Sequence, residues 1–492
     1  MTEGFRKKAV AVLGGALLLG SGAAAFLVQR SNPAPPVHVL ARVNNADTLF
    51  YIELYDSVVE AGVPLTAWSF PPAPCWFPDL TIVFAARAAG LSPDACLMLY
   101  WIFVVSCAAF AARLLALQLF ENAPPGWFAL AGAFWFVIAA STDNSMSVFV
   151  RTLLPGHHGG AAASGLLFQA CALLWQKTGA RRYLVFGSLL GVLTLMGDLY
   201  FLITGILPVG LWALFYKTRR GPLLASVALV CVLGPGFSEL ARHWLSIAAA
   251  PGLDPVVAAT RLLDPGAYRE FYYYALPVFG RADRLLTLVF FGIVFYALVW
   301  RRGRVSGERA LATVSVLVVV ANLVSIFALG YWTQRYLSGA ALMAWACVSI
   351  LVPICFAKLT SRPAMTIALS FVFLVLVFQL ALRKETLALN TPAPYIDCLQ
   401  KELGPGIPVG YADYWRAREV RMYSDLVVLD LSRPQWMTAA LPPHDPKLPT
   451  FVVTDGLEAE TVAAIGTPIR TFTCEHETIL VLAPGTRVNL PR

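Results

Sequence analysis

The chain has 492 residues, 58% of them hydrophobic and only 13% charged, with a formal net charge of +8. Soluble domains carry about a quarter charged residues, so this composition, with a mean hydropathy of +0.67, excludes an ordinary soluble protein. Apolar runs of about 17–22 residues recur along it, which excludes the short alternating segments of a β-barrel and predicts a polytopic α-helical membrane protein.

The first thirty residues, MTEGFRKKAVAVLGGALLLGSGAAAFLVQR, are a basic start followed by about 20 apolar positions. An uncleaved anchor is expected, with a signal-peptidase site in GAAAF as the alternative; both put residue 30 onward outside the cytoplasm. Apolar runs place spans at about 9–28, 93–113, 126–141, 159–176, 183–197, 199–217, 222–238, 285–300, 310–330, 337–357 and 364–382, about eleven in all. Basic residues gather in alternate loops: Arg6, Lys7 and Lys8; Lys177, Arg181 and Arg182; Lys217, Arg219 and Arg220; Arg301, Arg302 and Arg304; Lys358 and Arg362. The 114–125 loop is weak, with Arg113 at its edge. The positive-inside rule then puts the N-terminus in the cytoplasm, and an odd count puts the C-terminus outside. This placement of the positive charge, with no basic patch interleaved with aromatics, argues against nucleic acid as a partner.

A transmembrane domain over 1–382 with long outer loops at 29–92 and 239–284 is therefore expected, followed by a small soluble outer domain over 383–492. In that tail PVGYADYW, DLVVLDLS, PTFVVTDG and ETILVLAPG read as strands and DGLEAETVAAIG as a helix, giving an α/β domain. The nine cysteines show neither CxxC nor zinc-type spacing; Cys398 and Cys474 are able to pair in an oxidising compartment. No internal repeat is apparent, which lowers the expectation of a secondary transporter.

The first outer loop carries NNADTLFYIELYDSV, residues 44–58. A helix over 47–60 puts Asp47, Tyr51, Leu54, Tyr55 and Val58 on one face, with Glu53, Asp56 and Glu60 opposite as a solvated face. Asp47 heads the apolar, aromatic face and reads either as a helix-start carboxylate or as a working acid. In VPLTAWSFPPAPCWFPDLTIVFAARAAG, prolines and aromatics suit a rigid interfacial loop and a surface helix. Trp68, Phe70, Trp76 and Phe77 are expected as interface anchors and Asp79 as an N-cap.

RTLLPGHHGG, residues 151–160, puts His157 and His158 in a Pro/Gly loop after Asp143. Adjacent side chains on a helix diverge by about 100°, so the pair is no ready chelate. One histidine with Asp143 suits a cation or a phosphate, the alternative being a polar loop start. In MGDLYFLITGILP, Asp198 is either a turn residue or a cavity carboxylate. In GYWTQRYLSGA, Arg335 stands between Trp332 and Tyr336. Its guanidinium fork suits phosphate oxygens, the alternative being a snorkelling arginine. The FYYYALPVF run reads as an aromatic belt. Walker A, GxGxxG, GxSxG and HExxH signatures are missing, against ATP-driven transport by this chain, nicotinamide chemistry and zinc proteolysis.

In its cytoplasmic start, span number, and long first outer loop with an acid shortly after the first span, the chain resembles the GT-C superfamily of membrane glycosyltransferases. It is distantly similar to oligosaccharyltransferase catalytic subunits and aminoarabinose transferases. It departs from them in having Ala46-Asp47-Thr48 where an acidic pair is common, and Gly156 where an acid precedes the histidines. The resemblance implies an inverting enzyme of the bacterial inner membrane, with a periplasmic C-terminal domain. It implies a lipid-linked sugar donor, a glycan or glycolipid acceptor and surrounding membrane lipids as partners. Asp47 is then the general base and Arg335 the phosphate contact. His157, His158, Asp198 and Tyr51 are expected in the substrate pocket, and a divalent cation is the one cofactor in view. A transporter or flippase of a lipid-linked or anionic substrate, and a GT-C-like scaffold without activity, are the alternatives.

Overall fold

The computed structural model describes residues 3–30, 45–68, 70–71, 73–117, 125–141, 147–215, 219–244, 255–270, 306–329, 334–355, 394–407, 409–431, 447–455, 457 and 459–486, with positions 292, 374 and 375. Helix α1 (Glu3–Arg30) leads to α2 (Ala46–Tyr55), α3 (Thr81–Ala88), α4 (Pro93–Ala116), α5 (Pro125–Ser141), α6 (Val148–Arg151), α7 (Gly159–Thr178), α8 (Arg181–Gly197) and α9 (Leu207–Phe215). Then come α10 (Arg220–Trp244), α11 (Pro255–Leu263), α12 (Pro265–Glu270), α13 (Ser306–Leu329) and α14 (Ser338–Cys355). The expected spans at 285–300 and 364–382 lie outside the described residues, apart from isolated positions.

Among the described residues three helices are long and apolar enough to cross a membrane: Pro93–Ala116, Arg220–Trp244 and Arg309–Ala328. The protein is accordingly a polytopic helical membrane protein. α1 packs on α5, α4 on α7, α7 on α8 and α8 on α10. Val185, Leu189 and Leu193 form an exposed apolar stripe along α8, which suits lipid rather than water. α4 begins where Ser92 accepts a bond from Ala95 N–H and Pro93 takes the first turn, a pairing in which the proline's missing N–H costs nothing.

The last stretch holds α15 (Pro394–Leu403), β1 (Val409–Ala412), α16 (Tyr414–Tyr423), β2 (Val427–Asp430), β3 (Thr450–Val453), α17 (Ala459–Ala464), β4 (Arg470–Cys474) and β5 (Glu477–Leu482). The five strands form one sheet in the order β2-β1-β3-β5-β4. β1 is parallel to β2 and β3, and β5 is antiparallel to β3 and β4. Cys398 and Cys474 form a disulfide between α15 and β4.

PVGYADYW is not all strand. β1 stops at Ala412, and Asp413 Oδ1 accepts from Arg416 N–H at 3.0 Å, so Tyr414 opens a helix that this cap satisfies. α16 packs on α2, and Tyr414 belongs to the same buried cluster as the membrane helices.

Four readings of the first loop are corrected. Glu53 is no solvated acid, because Arg418 and Arg421 grip it at 2.5 and 2.6 Å. Asp56 is held by Arg87 at 2.5 Å. Trp68 and Phe70 are buried and stack edge-on against Phe50, so they are core and not interface anchors. Asp79 caps nothing: it is buried and accepts from Tyr100 O–H at 2.6 Å and Gly156 N–H at 2.8 Å.

Candidate functional site

α2 begins at Asn45, whose Oδ1 accepts from the N–H groups of Asp47 and Thr48 at 3.1 and 3.2 Å. Asn45 therefore does the capping, and the Asp47 side chain is released for other work. Its Oδ1 accepts from the Tyr414 hydroxyl at 3.0 Å, and its Oδ2 lies 3.8 Å from Arg335 Nη1. Arg335 sits in a short 3₁₀ turn, Gln334–Leu337. The Arg335 carbonyl accepts from Ser338 Oγ at 2.8 Å, and Thr152 Oγ1 donates to that same Oγ at 3.1 Å. The guanidinium lies over the Tyr336 ring, 5.3 Å from its centre, which favours a cation.

A second arginine stands behind this pair. Arg151 is buried, and its Nη1 donates to His157 Nε2 at 2.9 Å. Burial lowers Arg151 to about 10, with Asp47 pulling it up and Arg335 down, so it is cationic at neutral pH. Burial, then Arg151 and Arg335, push His157 well below the usual imidazole value. His157 is thus neutral and free to accept the Arg151 bond. Two guanidinium groups beside one carboxylate leave a net positive locus, a place for an anion.

The ring of His158 lies 5.1 Å from that of Tyr336 and 5.0 Å from that of Tyr200. His158 Nδ1 donates to Asp198 Oδ2 at 2.8 Å. Asp198 also takes the Tyr200 N–H at 2.9 Å, so it is both a turn residue and a histidine partner. Cys75 joins them: its N–H donates to the Gly197 carbonyl at 2.8 Å, and its Sγ lies 3.7 Å from Asp198 Oδ2. Cys75 holds a left-handed φ of 50°, a cost that the hydrogen bond to Gly197 helps to offset.

One donor atom each from Cys75, His158 and Asp198 lies within 4.8 Å of the others, and among the described residues this is the one trio so placed. Sulfur, imidazole nitrogen and carboxylate oxygen are a zinc-type donor set. Burial pushes the Cys75 thiol up, so a cation there would have to draw off its proton.

Gly159 and Gly160 bring the histidine loop in close. A Cβ on Gly159 would collide with the Thr152 carbonyl, and one on Gly160 with Asp79 Oδ1. Gly156 has φ +76°, and a Cβ there would meet Tyr51 at 3.1 Å and the Asp47 carbonyl at 3.2 Å.

Of the expected site residues, Asp47 meets Arg335, and His158 meets Asp198. His157 reaches the site through Arg151. Tyr51 is wholly buried and lies against Cys75, so it backs the wall of the site rather than lining a substrate pocket. Asp143 lies outside the described residues. Cys75, Arg151 and Tyr414 were not anticipated. A signal existed for two of them: Arg151 opens the same RTLLPGHHGG stretch as the histidines, and Asp413 before Tyr414 is a helix-cap signature.

No family model matches the chain, and no curated protein does. Its fold is that of two solved structures. ArnT from Cupriavidus metallidurans bound to undecaprenyl phosphate matches with a TM-score of 0.54 at 14% identity, over 96% of this chain and 97% of that one. ArnT from the same organism in the apo state matches with a TM-score of 0.57 at 13% identity, over 98% and 99%. The likeness in fold thus extends over nearly the whole chain.

Proposed function

We propose that this protein is an inverting glycosyltransferase. It moves a sugar from a polyprenyl-phosphate-linked donor to a glycan or glycolipid of the cell envelope. The observation that carries this reading is the 3.8 Å approach of Asp47 Oδ2 to Arg335 Nη1, from segments nearly 300 residues apart in the chain. The fold neighbour that holds undecaprenyl phosphate supports a lipid phosphate as the anion.

Asp47 takes the proton from the acceptor hydroxyl. The acceptor oxygen forms its bond to the anomeric carbon as the bond from that carbon to the phosphate oxygen breaks. The electron pair leaves with the lipid phosphate, and Arg335 with Arg151 behind it stabilises the added negative charge. A cation held by Cys75, His158 and Asp198 would supply further positive charge and fix the histidine loop. A scaffold without activity would have no use for two buried or half-buried arginines around one open carboxylate.

The same reading puts about eleven spans in a bacterial inner membrane, the N-terminus in the cytoplasm, and residues 383–492 as a domain in the periplasm. Purified wild type and Asp47→Asn, given labelled polyprenyl-phosphate sugars and membrane glycolipid, test it. Transfer by wild type that is lost in the variant, with donor binding retained, is the expected result. Equal transfer by both would remove Asp47 as the base.

A further inference from the structure

One hydrogen bond to Asp47 comes from 367 residues further along the chain. Tyr414, Arg418 and Arg421 recur at helical spacing on one face of α16, and this face lies on α2. Arg418 is almost wholly buried. Its Nε donates to Glu53 at 2.5 Å, its Nη1 to the Ala46 carbonyl at 2.6 Å, and the same Nη1 to Tyr414 Oη at 3.3 Å. Arg421 adds a bond to Glu53 at 2.6 Å. At the far end, the Tyr423 hydroxyl donates to Asp94 at 3.2 Å, and Arg30 Nε donates to the same carboxylate at 3.2 Å.

The direction of this network matters. A tyrosine hydroxyl has one proton and two lone pairs. Arginine only donates, so the Arg418 contact occupies a lone pair of Tyr414 Oη. The one proton of Tyr414 is left to point at Asp47 Oδ1. A carboxylate with one oxygen so engaged is fixed in rotamer and presents the other.

The geometry points to Tyr414 as a positioning residue for the sugar transfer: through Arg418 and Glu53, docking of α16 holds Asp47 so that Oδ2, the oxygen beside Arg335, receives the acceptor proton. This rests on the reading of Asp47 as the base. The C-terminal segment is then part of the transfer site and not an appendage to it.

Tyr414→Phe keeps the ring and removes the proton. The expected result is a fall in kcat of about 10- to 100-fold, the range for losing a hydrogen bond to a charged group, with donor KM unchanged. Thermal melts of both proteins check folding. The double variant with Asp47→Asn serves as a second measurement. A residue that acts through Asp47 adds nothing once Asp47 is gone, so the double variant is no slower than Asp47→Asn alone.

A Tyr414→Phe enzyme with wild-type kcat, while Asp47→Asn is dead, overturns the positioning role and leaves the base reading intact. Multiplicative losses in the double variant overturn it too, since they mark a structural contribution. Full transfer by Asp47→Asn, or none by wild type across the donor series, removes the base reading itself.

Discussion

α2 carries two carboxylates six residues apart, and their side chains are equally exposed at 15%. Their surroundings differ sharply. Glu53 is saturated, gripped by Arg418 and Arg421 at 2.5 and 2.6 Å. Burial alone would raise its pKa, but the two arginines outweigh that and hold it below the ordinary value. Asp47 has one neutral donor at 3.0 Å and a guanidinium still 3.8 Å away. A pair drawn to hydrogen-bond distance is spent on holding the structure together. A pair left about an ångström beyond that distance keeps an acceptor lone pair and a cationic donor for a third party. Exposure does not separate the two acids; the charge and distance of their partners do.

That contrast predicts a ranking. Asp47→Asn is expected to lower kcat by about 10²–10⁴-fold, the usual worth of a general base, with little change in melting temperature. A stable but fully active variant would break the comparison at its open end. Arg335→Gln comes next, at about 10²–10³-fold in kcat. A loss confined to donor KM would mean that Arg335 binds the ground state only. Glu53→Gln reverses the pattern. Breaking a buried pair costs about 3–5 kcal/mol, so hydrogen exchange in α16 accelerates strongly, while the loss of activity follows only from undocking. Unchanged exchange would mean that α16 is held by other contacts.

The smallest effect concerns a third acid. Burial pushes Asp79 up to about 7, with the Tyr100 and Gly156 bonds pulling the other way. An unfolded aspartate loses its proton at about pH 3.9. Between those values the folded chain holds a proton that the unfolded chain has given up, so this group's contribution to stability falls as pH rises from about 4 to 7. Wild type should therefore gain melting temperature over Asp79→Asn at pH 5 relative to pH 8. Parallel melting curves at both values would show that Asp79 is ionised throughout.

The helical membrane architecture was legible, because apolar runs depend on local composition and the bilayer alone. Asp47, Arg335, His158 and Asp198 were legible as single residues, since a polar group in an apolar setting stands out. Their partners were less so. Glu53 looked solvated because a helical wheel sees only its own helix, and Arg418 and Arg421 arrive from more than 360 residues away. Trp68 and Phe70 looked like membrane anchors because their stacking on Phe50 depends on a loop path that no periodicity reports. Tyr414 was hidden in a stretch whose aromatic residues favour strand, although the cap at Asp413 decided for helix. One of the two histidines was matched to Asp143 by nearness in sequence; Asp143 lies outside the described residues, and the structure joins His158 to Asp198.

The 367-residue separation between Asp47 and Tyr414 also sets a clock. Synthesis proceeds at about 5–20 residues per second, so roughly 20–70 s pass between the making of the carboxylate and the making of the hydroxyl that steadies it. Arg335 is made 288 residues after Asp47, so over only the last 79 residues of that interval are both in the chain while α16 is still unmade. A polypeptide that stalls before residue 414 would carry the carboxylate and the cation without the strut. If Asp47 is the base, the late position of Tyr414 leaves that carboxylate unsteadied until α16 has been made.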